Sequence, residues 1–265
     1  MAKSAKSSSL APAAPAALFV GAAFVWPLVR LCAAAFARGD EAAPGIVRLF
    51  TDAYDRRALG HSIVFSALVA LASVLLCLPG AIALARGRFA GRSLLRALFA
   101  VPLSLSGVIV GFLAVAMLGN AGALPSLLHA SWLRGSAFTV GGLAAAYLYF
   151  EIPRATLTME AALAAVDEGL LEAARTLGAR PWQVARFVLL PLCAPAMRAA
   201  FGVTFAASLG SFGVALILAA RYSLLPVELY RAFTGTLDDS LAAAMALALA
   251  VVAAVVLMAA HRGRR

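Results

Sequence analysis

The sequence predicts an all-α, polytopic membrane protein with about six transmembrane helices, on three observations. Of its 265 residues, 63% are hydrophobic and 13% charged, with a mean hydropathy of +0.94; soluble domains sit nearer half apolar and a quarter charged. The apolar residues gather in six stretches, roughly 16–36, 61–85, 97–119, 136–159, 194–219 and 240–260, and a spanning helix needs about 20 such residues. The Lys and Arg residues behind the net charge of +10 are scattered over the connecting loops. The basic balance therefore reads as membrane topology, with lipid and no nucleic acid as its partner.

Residues 1–15 are rich in Ala, Ser and Pro, with Lys3 and Lys6, and read as a disordered tail. The first span follows. Ala35-Phe36-Ala37 has the form of a signal-peptidase site, but the apolar run before it exceeds the usual core of about 7–15 residues, so an uncleaved span is expected. Arg30 sits toward its outer end, where it can snorkel to the interface. In the next loop Arg38, Arg48, Arg56 and Arg57 are balanced by Asp40, Glu41, Asp52 and Asp55. After the second span, Arg86, Arg88, Arg92 and Arg96 crowd one short loop without an acid, and Arg262, Arg264 and Arg265 end the chain. By the positive-inside rule that loop and both termini face the cytoplasm.

The third span opens with Pro102, Ser104 and Ser106 and carries Gly107-x-x-x-Gly111, a helix-packing signal. In the inner half of the fourth, Glu151 and Arg154 stand three residues apart around Pro153. They can satisfy each other while the proline kinks the helix. An interfacial ion pair and a gating role both fit, and Glu151 is a candidate for the translocation path. The fifth span places Thr204, Ser208 and Ser211 at i, i+4 and i+7 on one helical face, with Gly202, Gly210 and Gly213 adding close-approach surface. These hydroxyls either line a path or hold helices together. Residues 220–238 lie outside, begin with Arg221-Tyr222, and hold a small surface helix around Leu225-Pro226-Val227-Glu228-Leu229-Tyr230.

Several chemistries are excluded. Cys32, Cys77 and Cys193 are isolated, and His61, His129 and His261 are dispersed, so neither a redox pair nor a metal site is expected. The spans hold no Asp and no His except at their edges, which removes the nucleophile–base pair or aspartate pair of an intramembrane protease. The only lysines are Lys3 and Lys6; a P-loop needs a lysine to neutralise phosphates, so the chain cannot carry that ATP site. An ion-coupled carrier or channel subunit is the alternative class, but its several midplane charges and related halves are not seen.

The longest internal segment, 160–193, contains the polar run Glu172-Ala-Ala-Arg-Thr-Leu-Gly-Ala-Arg-Pro-Trp-Gln-Val-Ala-Arg-Phe-Val-Leu-Leu-Pro191. Leu170, Leu171, Ala174 and Leu177 fall near helical spacing and predict one apolar stripe, with Glu172 and Arg175 able to pair beside it. Gly178 predicts a helix stop in the left-handed conformation. Pro181 suits the first position of a second short helix, closed by Pro191. By itself the pattern describes an amphipathic helix lying on the membrane surface.

The spacing of Glu172, Ala173, Ala174, Gly178, Val188, Leu190 and Pro191 resembles the EAA loop of permease subunits of binding-protein-dependent bacterial ABC importers. The location, between spans four and five, matches as well. The wider pattern looks closest to permeases for polyamines, phosphonates, ferric ion, thiamine, molybdate and sulfate. The resemblance implies a non-enzymatic transmembrane domain over 16–260 in the inner membrane, with basic tail 261–265 and coupling loop 160–193. It implies a second permease subunit, a cytoplasmic dimer of ATP-binding subunits, and a periplasmic or lipid-anchored substrate-binding protein. ATP and Mg belong to the partner ATPase, and this chain binds no cofactor. Ala173 and Ala174 would let the helix sit deep in a groove of the ATPase, Glu172 would supply a charged contact, and Gly178 the bend. Arg180 departs from the small polar residue that relatives often carry there, and cannot cap the second helix as a serine would. Ser211 stands where many oxyanion relatives have an acid.

Overall fold

A computed structural model describes residues 14–38, 43–87, 89–219 and 222–262. The tail before residue 14, Asp40, Glu41, Arg88, Arg221, Arg264 and Arg265 lie outside the described residues. Among the described residues the regular elements are all helical. In chain order they are α1 (Ala14–Phe36), α2 (Gly45–Thr51), α3 (Ala53–Arg86), α4 (Arg92–Ser104), α5 (Gly107–Leu118), α6 (Ala123–Leu127) and α7 (Val140–Ala164). There follow α8 (Glu168–Thr176), α9 (Pro181–Gln183) running into a π-helical turn (Val184–Leu189), α10 (Leu190–Leu209), α11 (Gly213–Leu218), α12 (Leu225–Thr234) and α13 (Asp239–Arg262). Ala53–Arg86, Gly107–Leu127, Arg186–Leu209 and Asp239–Arg262 are long and apolar enough to cross a membrane, and Gly21–Phe36 is a shorter apolar helix. The 25-residue α7 has the length, about 37 Å at the helical rise, but carries Glu151, Arg154 and Glu160.

The chain forms two compact units, Met1–Arg56 with Leu229–Ala248, and Arg57–Glu228 with Leu249–Arg265. In the first, the Gly45 N–H donates to Ser240 Oγ at 2.9 Å, and that hydroxyl donates to the Ala37 carbonyl at 2.8 Å. Arg48 pairs with Asp238 at 2.5 Å, and Asp238 accepts from the Leu241 N–H at 2.9 Å, capping α13. Of the segment 37–60, expected as a loop, residues 45–51 and 53–60 are helical. Asp52 accepts the Tyr54 N–H at 2.7 Å and starts α3 well before residue 61.

Among the described residues, three apolar clusters lie in the second unit. One joins Phe65 and Val69 of α3, Val110 of α5, Leu143 and Tyr147 of α7, and Val214 and Leu218 of α11. Another joins Val74, Cys77 and Ala81 of α3 to Met159 and Leu163 of α7, Leu171 of α8, and Cys193 and Ala200 of α10. The third packs Ala70 against Phe205, Leu209 and the Leu249–Val256 stretch of α13. Cys77 and Cys193 are buried packing residues, and among the described residues no group of His, Cys, Asp and Glu could hold a metal.

Three further elements depart from the sequence expectation. The stretch 97–119 is two helices, because Leu105 is extended and the Ser106 hydroxyl caps α5 by accepting the Ile109 N–H. The stretch 194–219 is likewise broken at 210–212, so Ser211 leaves the helical face it was expected to share with Thr204 and Ser208. The Ser211 carbonyl freed by that break accepts from Tyr147 Oη at 2.8 Å. The first turn of α12 is not a surface element: Leu225 is fully buried, with its N–H donating to Ser62 Oγ at 2.7 Å.

The breaks bring α5 and α11 together through glycine. A Cβ at Gly213 would stand 2.6 Å from the Val108 nitrogen, and one at Gly107 would stand 3.2 Å from the Val214 nitrogen. A Cβ at Gly111 would meet the Ile217 side chain at 2.8 Å. The Gly107-x-x-x-Gly111 signal therefore marks where α5 crosses α11.

Candidate functional site

The segment joining α7 to α10 is built from caps at each end of its short helices. Asp167 starts α8 by accepting the Gly169 N–H at 2.9 Å. At the other end Gly178 stands at φ +82°. Its N–H reaches the Arg175 carbonyl at 3.0 Å, and the Ala179 N–H reaches that of Ala174 at 3.2 Å. These two bonds define a Schellman motif, which glycine can enter without Cβ strain. No atom lies within 4 Å of where a Cβ would sit, so the backbone angle alone requires glycine here.

The second helix starts without a capping hydroxyl, yet its first donor is satisfied. Gln183 Oε1 accepts the Arg180 N–H at 2.7 Å. This is the reciprocal half of a capping box, and it offsets the departure at Arg180. The helix does not close at Pro191. It widens into the π turn Val184–Leu189 and continues as α10 with Pro191 in its first turn. A proline has no N–H to donate and its ring crowds the preceding turn, and the wider turn relieves both.

The motif residues divide between two faces. Leu171 is buried, and Ala174, Ala179 and Val188 pack beside it on the α3–α7–α10 cluster. Glu172, Ala173, Gly178, Leu190 and Pro191 are exposed. The single stripe expected from Leu170 to Leu177 is therefore split: Leu171 and Ala174 face inward, while Leu170 is 51% and Leu177 88% exposed. On the second helix Trp182 and Phe187 are also exposed, with ring centroids 6.0 Å apart. Ala173 is therefore exposed, whereas Ala174 is half-buried against the α3–α7–α10 cluster. Among the described residues, Glu172 and Arg175 do not form one of the ion pairs within 4.0 Å.

Behind this segment lies a set of arginines that sequence reading assigned to topology alone. Arg86, the last residue of α3, donates through Nη2 to the carbonyls of Leu163 and Val166, each at 3.3 Å. A cation there adds a donor to the carbonyls at and just beyond the end of α7 and complements the helix dipole. One turn earlier, Arg96 of α4 pairs with Glu160 through two hydrogen bonds, and Arg92 stands 3.9 Å from the same carboxylate. The Glu160 side chain is only 8% exposed. The signal available in the sequence was an acid at the inner end of an apolar stretch, facing two arginines at i, i+4 in a loop without acids.

The path candidates fall into different environments. Thr204 and Ser208 are buried, and their hydroxyls find no hydrogen-bond partner among the described residues. In this conformation they face neighbouring helices. Ser211 is partly exposed in the break. Glu151 is buried and held by Arg154 Nη1 at 2.8 and 2.9 Å, so the two do satisfy each other across one helical turn. One residue goes unnoticed in the sequence: Tyr147, which packs edge-on against Phe65 at 5.0 Å while bonding Ser211.

Comparison with known proteins places this architecture. Residues 77–262 match the family described as binding-protein-dependent transport system inner membrane component. The chain is 32% identical over 219 residues to a molybdenum transport system permease protein of Mycobacterium tuberculosis, covering 81% of this chain and 82% of that one. It is 28% identical over 228 residues to a sulfate transport system permease protein of Synechococcus elongatus, covering 83% and 78%. Its fold is similar to a chain of a bacterial alginate ABC transporter solved with an alginate-bound periplasmic protein, at TM-score 0.77, 21% identity and coverage of 96% and 93%. The chain therefore belongs to the inner membrane components of binding-protein-dependent transport systems and is a permease subunit of an ABC importer.

Proposed function

We propose that Glu172–Pro191 is the element through which a separate ATPase drives this permease. The observation that carries the reading is the exposed face of the two-piece helix. Leu170, Ala173, Leu177, Trp182 and Phe187 are exposed apolar side chains on a polar segment whose opposite face packs on the α3–α7–α10 cluster, beside the exposed Glu172. Such a face in water suits a partner surface. Gly178 sets the angle between the two helices, and Leu190 and Pro191 lead into α10. On this reading the segment and both termini are cytoplasmic, ATP and Mg reside on a dimer of ATP-binding subunits, and this chain binds no cofactor. The transmembrane domain spans 16–260 and pairs with a second permease subunit, of the same or similar sequence. A periplasmic or lipid-anchored binding protein delivers the solute.

The solute class is a tetrahedral oxyanion such as molybdate or sulfate, supported by relatives named for molybdenum and sulfate transport. The neutral Ser211, in the break between α10 and α11, lies on the path in this reading, and Thr204 and Ser208 reach it only when α10 moves. Glu151 stays paired with Arg154 and serves the path by position.

The ATPase is expected to co-purify with the permease in detergent. Glu172→Arg and Gly178→Asp are each expected to abolish uptake while the permease stays in the membrane. Uptake at the unsubstituted rate by either variant refutes the coupling role. In proteoliposomes with the binding protein, labelled molybdate uptake should be competed by sulfate; import confined to a polyamine would overturn the solute class.

A further inference from the structure

The joint between α7 and α8 is short and weakly made. Its turn bonds, Ala165 N–H to Ala162 carbonyl and Val166 N–H to Leu163 carbonyl, measure 3.3 and 3.2 Å. Left alone, a joint of this kind bends when the helix beyond it is pulled. It is not left alone. Arg86 holds carbonyls on both of its sides, Leu163 within α7 and Val166 next to the Asp167 cap of α8. One turn up α7, Glu160 is held by Arg96 and approached by Arg92 of α4. The guanidinium donors thus come from two other helices and grip α7 at successive turns.

The far end of α4 gives this grip a destination. α4 ends at the Leu105-Ser106 break, beyond which α5 meets α11 by backbone contact between Gly107 and Gly213. We infer that Arg86, Arg92, Arg96 and Glu160 are positioning residues that lock the α7–α8 joint to α3 and α4, so that displacement of the coupling helix moves these helices as one body. The inference rests on the coupling role proposed for Glu172–Pro191. A charge-assisted fork suits the task, because the guanidinium presents several donors in a fixed plane and resists rotation better than an ammonium.

The test uses the assembled importer in proteoliposomes and reads solute imported per ATP hydrolysed, normalised to bound ATPase. Glu160→Gln keeps the shape of the carboxylate and removes its charge; Arg86→Met keeps the length of the chain and removes the fork. Each is expected to lower the transport-to-hydrolysis ratio about five- to tenfold, within the usual range of coupling between sites, while ATPase co-purification stays intact. Arg96→Lys should recover only part of the ratio lost in Arg96→Met, because an ammonium keeps the charge and loses the fork. A merely structural role would lower the yield of folded complex and leave the ratio per complex unchanged, and that result overturns the inference. Loss of ATPase binding in Glu160→Gln also counts against it, because the cluster would then shape the docking face rather than transmit its motion. If Arg86→Met does not accumulate, Glu160→Gln carries the test. Failure of the underlying reading looks different: Glu172→Arg would then import normally, whatever the clamp variants do.

Discussion

At the coupling end of the larger unit, helices are joined through arginines. Arg86 reaches the carbonyls of Leu163 and Val166, and Arg92 and Arg96 reach Glu160. At the helix breaks, α5 and α11 are joined through glycines, with Gly107 and Gly213 in backbone contact and Ile217 over Gly111. A guanidinium fork joins two helices at the length of a side chain, whereas a glycine contact sets backbone against backbone with no spare distance. The coupling end is thus built to stay joined while it moves, and the breaks to fix where two helices cross.

The largest effect should come from adding one methyl group at the crossing. Gly213→Ala places its Cβ 2.6 Å from the Val108 nitrogen and 2.9 Å from the Gly107 carbonyl carbon. Both are backbone atoms and cannot rotate away. Overpacking of this kind costs about 2–3 kcal/mol, read as a lower midpoint of thermal unfolding in detergent. An unchanged midpoint would show that the crossing can yield, and the contrast would fail.

Arg86→Met should be milder. It removes two hydrogen bonds from a charged donor, but both are long at 3.3 Å and the group is only part-buried. The expected loss is about 1.5 kcal/mol, at the low end for charged hydrogen bonds. Amide exchange should localise the change to the α7–α8 joint, and a loss spread over α3 would mean that Arg86 acts as a packing residue.

How far the sequence shows these two regions follows from the range of the interactions. The coupling segment is legible because its signals are local: Gly178 stops a helix and Pro181 starts one. The Glu151–Arg154 pair of α7 is local too, one turn apart. The capping Gln183 is local as well, and the S/T-x-x-Q pattern misses it because Arg180 stands at the cap. The arginine cluster is illegible as structure, since Arg96 and Glu160 lie 64 residues apart and Arg86 and Leu163 lie 77 apart. Only a folded chain pairs them. The breaks hide for another reason. Hydropathy averages over a window, and Leu105-Ser106 or Gly210-Ser211 hardly lowers it, so two helices read as one span. The split of the Leu170–Leu177 stripe shows a third limit: periodicity finds apolar residues, but tertiary packing decides which of them turn inward.

Tyr147→Phe probes the break from the α7 side. It deletes the hydroxyl that donates to the Ser211 carbonyl at 2.8 Å and keeps the ring against Phe65. A neutral hydrogen bond of this geometry contributes about 1 kcal/mol. The acceptor also has a second option, because a carbonyl at a helix break can recruit water if the site is wet. Thermal midpoints of the single and of the Tyr147→Phe/Gly213→Ala pair should combine non-additively, since both act on one break. Simple addition would separate the hydrogen bond from the crossing.

The smallest effect, and the only stabilising one, is expected at Gly210, three residues before Gly213. Sequence reading groups Gly202, Gly210 and Gly213 as close-approach surface, and the structure separates them. A Cβ at Gly202 would meet Ala260 Cβ at 2.7 Å, while one at Gly210 finds only the Ala206 carbonyl at 3.5 Å, an ordinary contact. Gly210 lies at φ −87°, which alanine adopts freely. Gly210→Ala should therefore restrict the unfolded chain without straining the folded one and stabilise by about 0.5 kcal/mol. Transport supplies the second reading. If the break at 210–212 must flex during the cycle, the more stable variant imports more slowly, and glycine is retained for motion rather than for space. If import is unchanged, the break acts as a fixed corner, and the moving parts are confined to the arginine-held end.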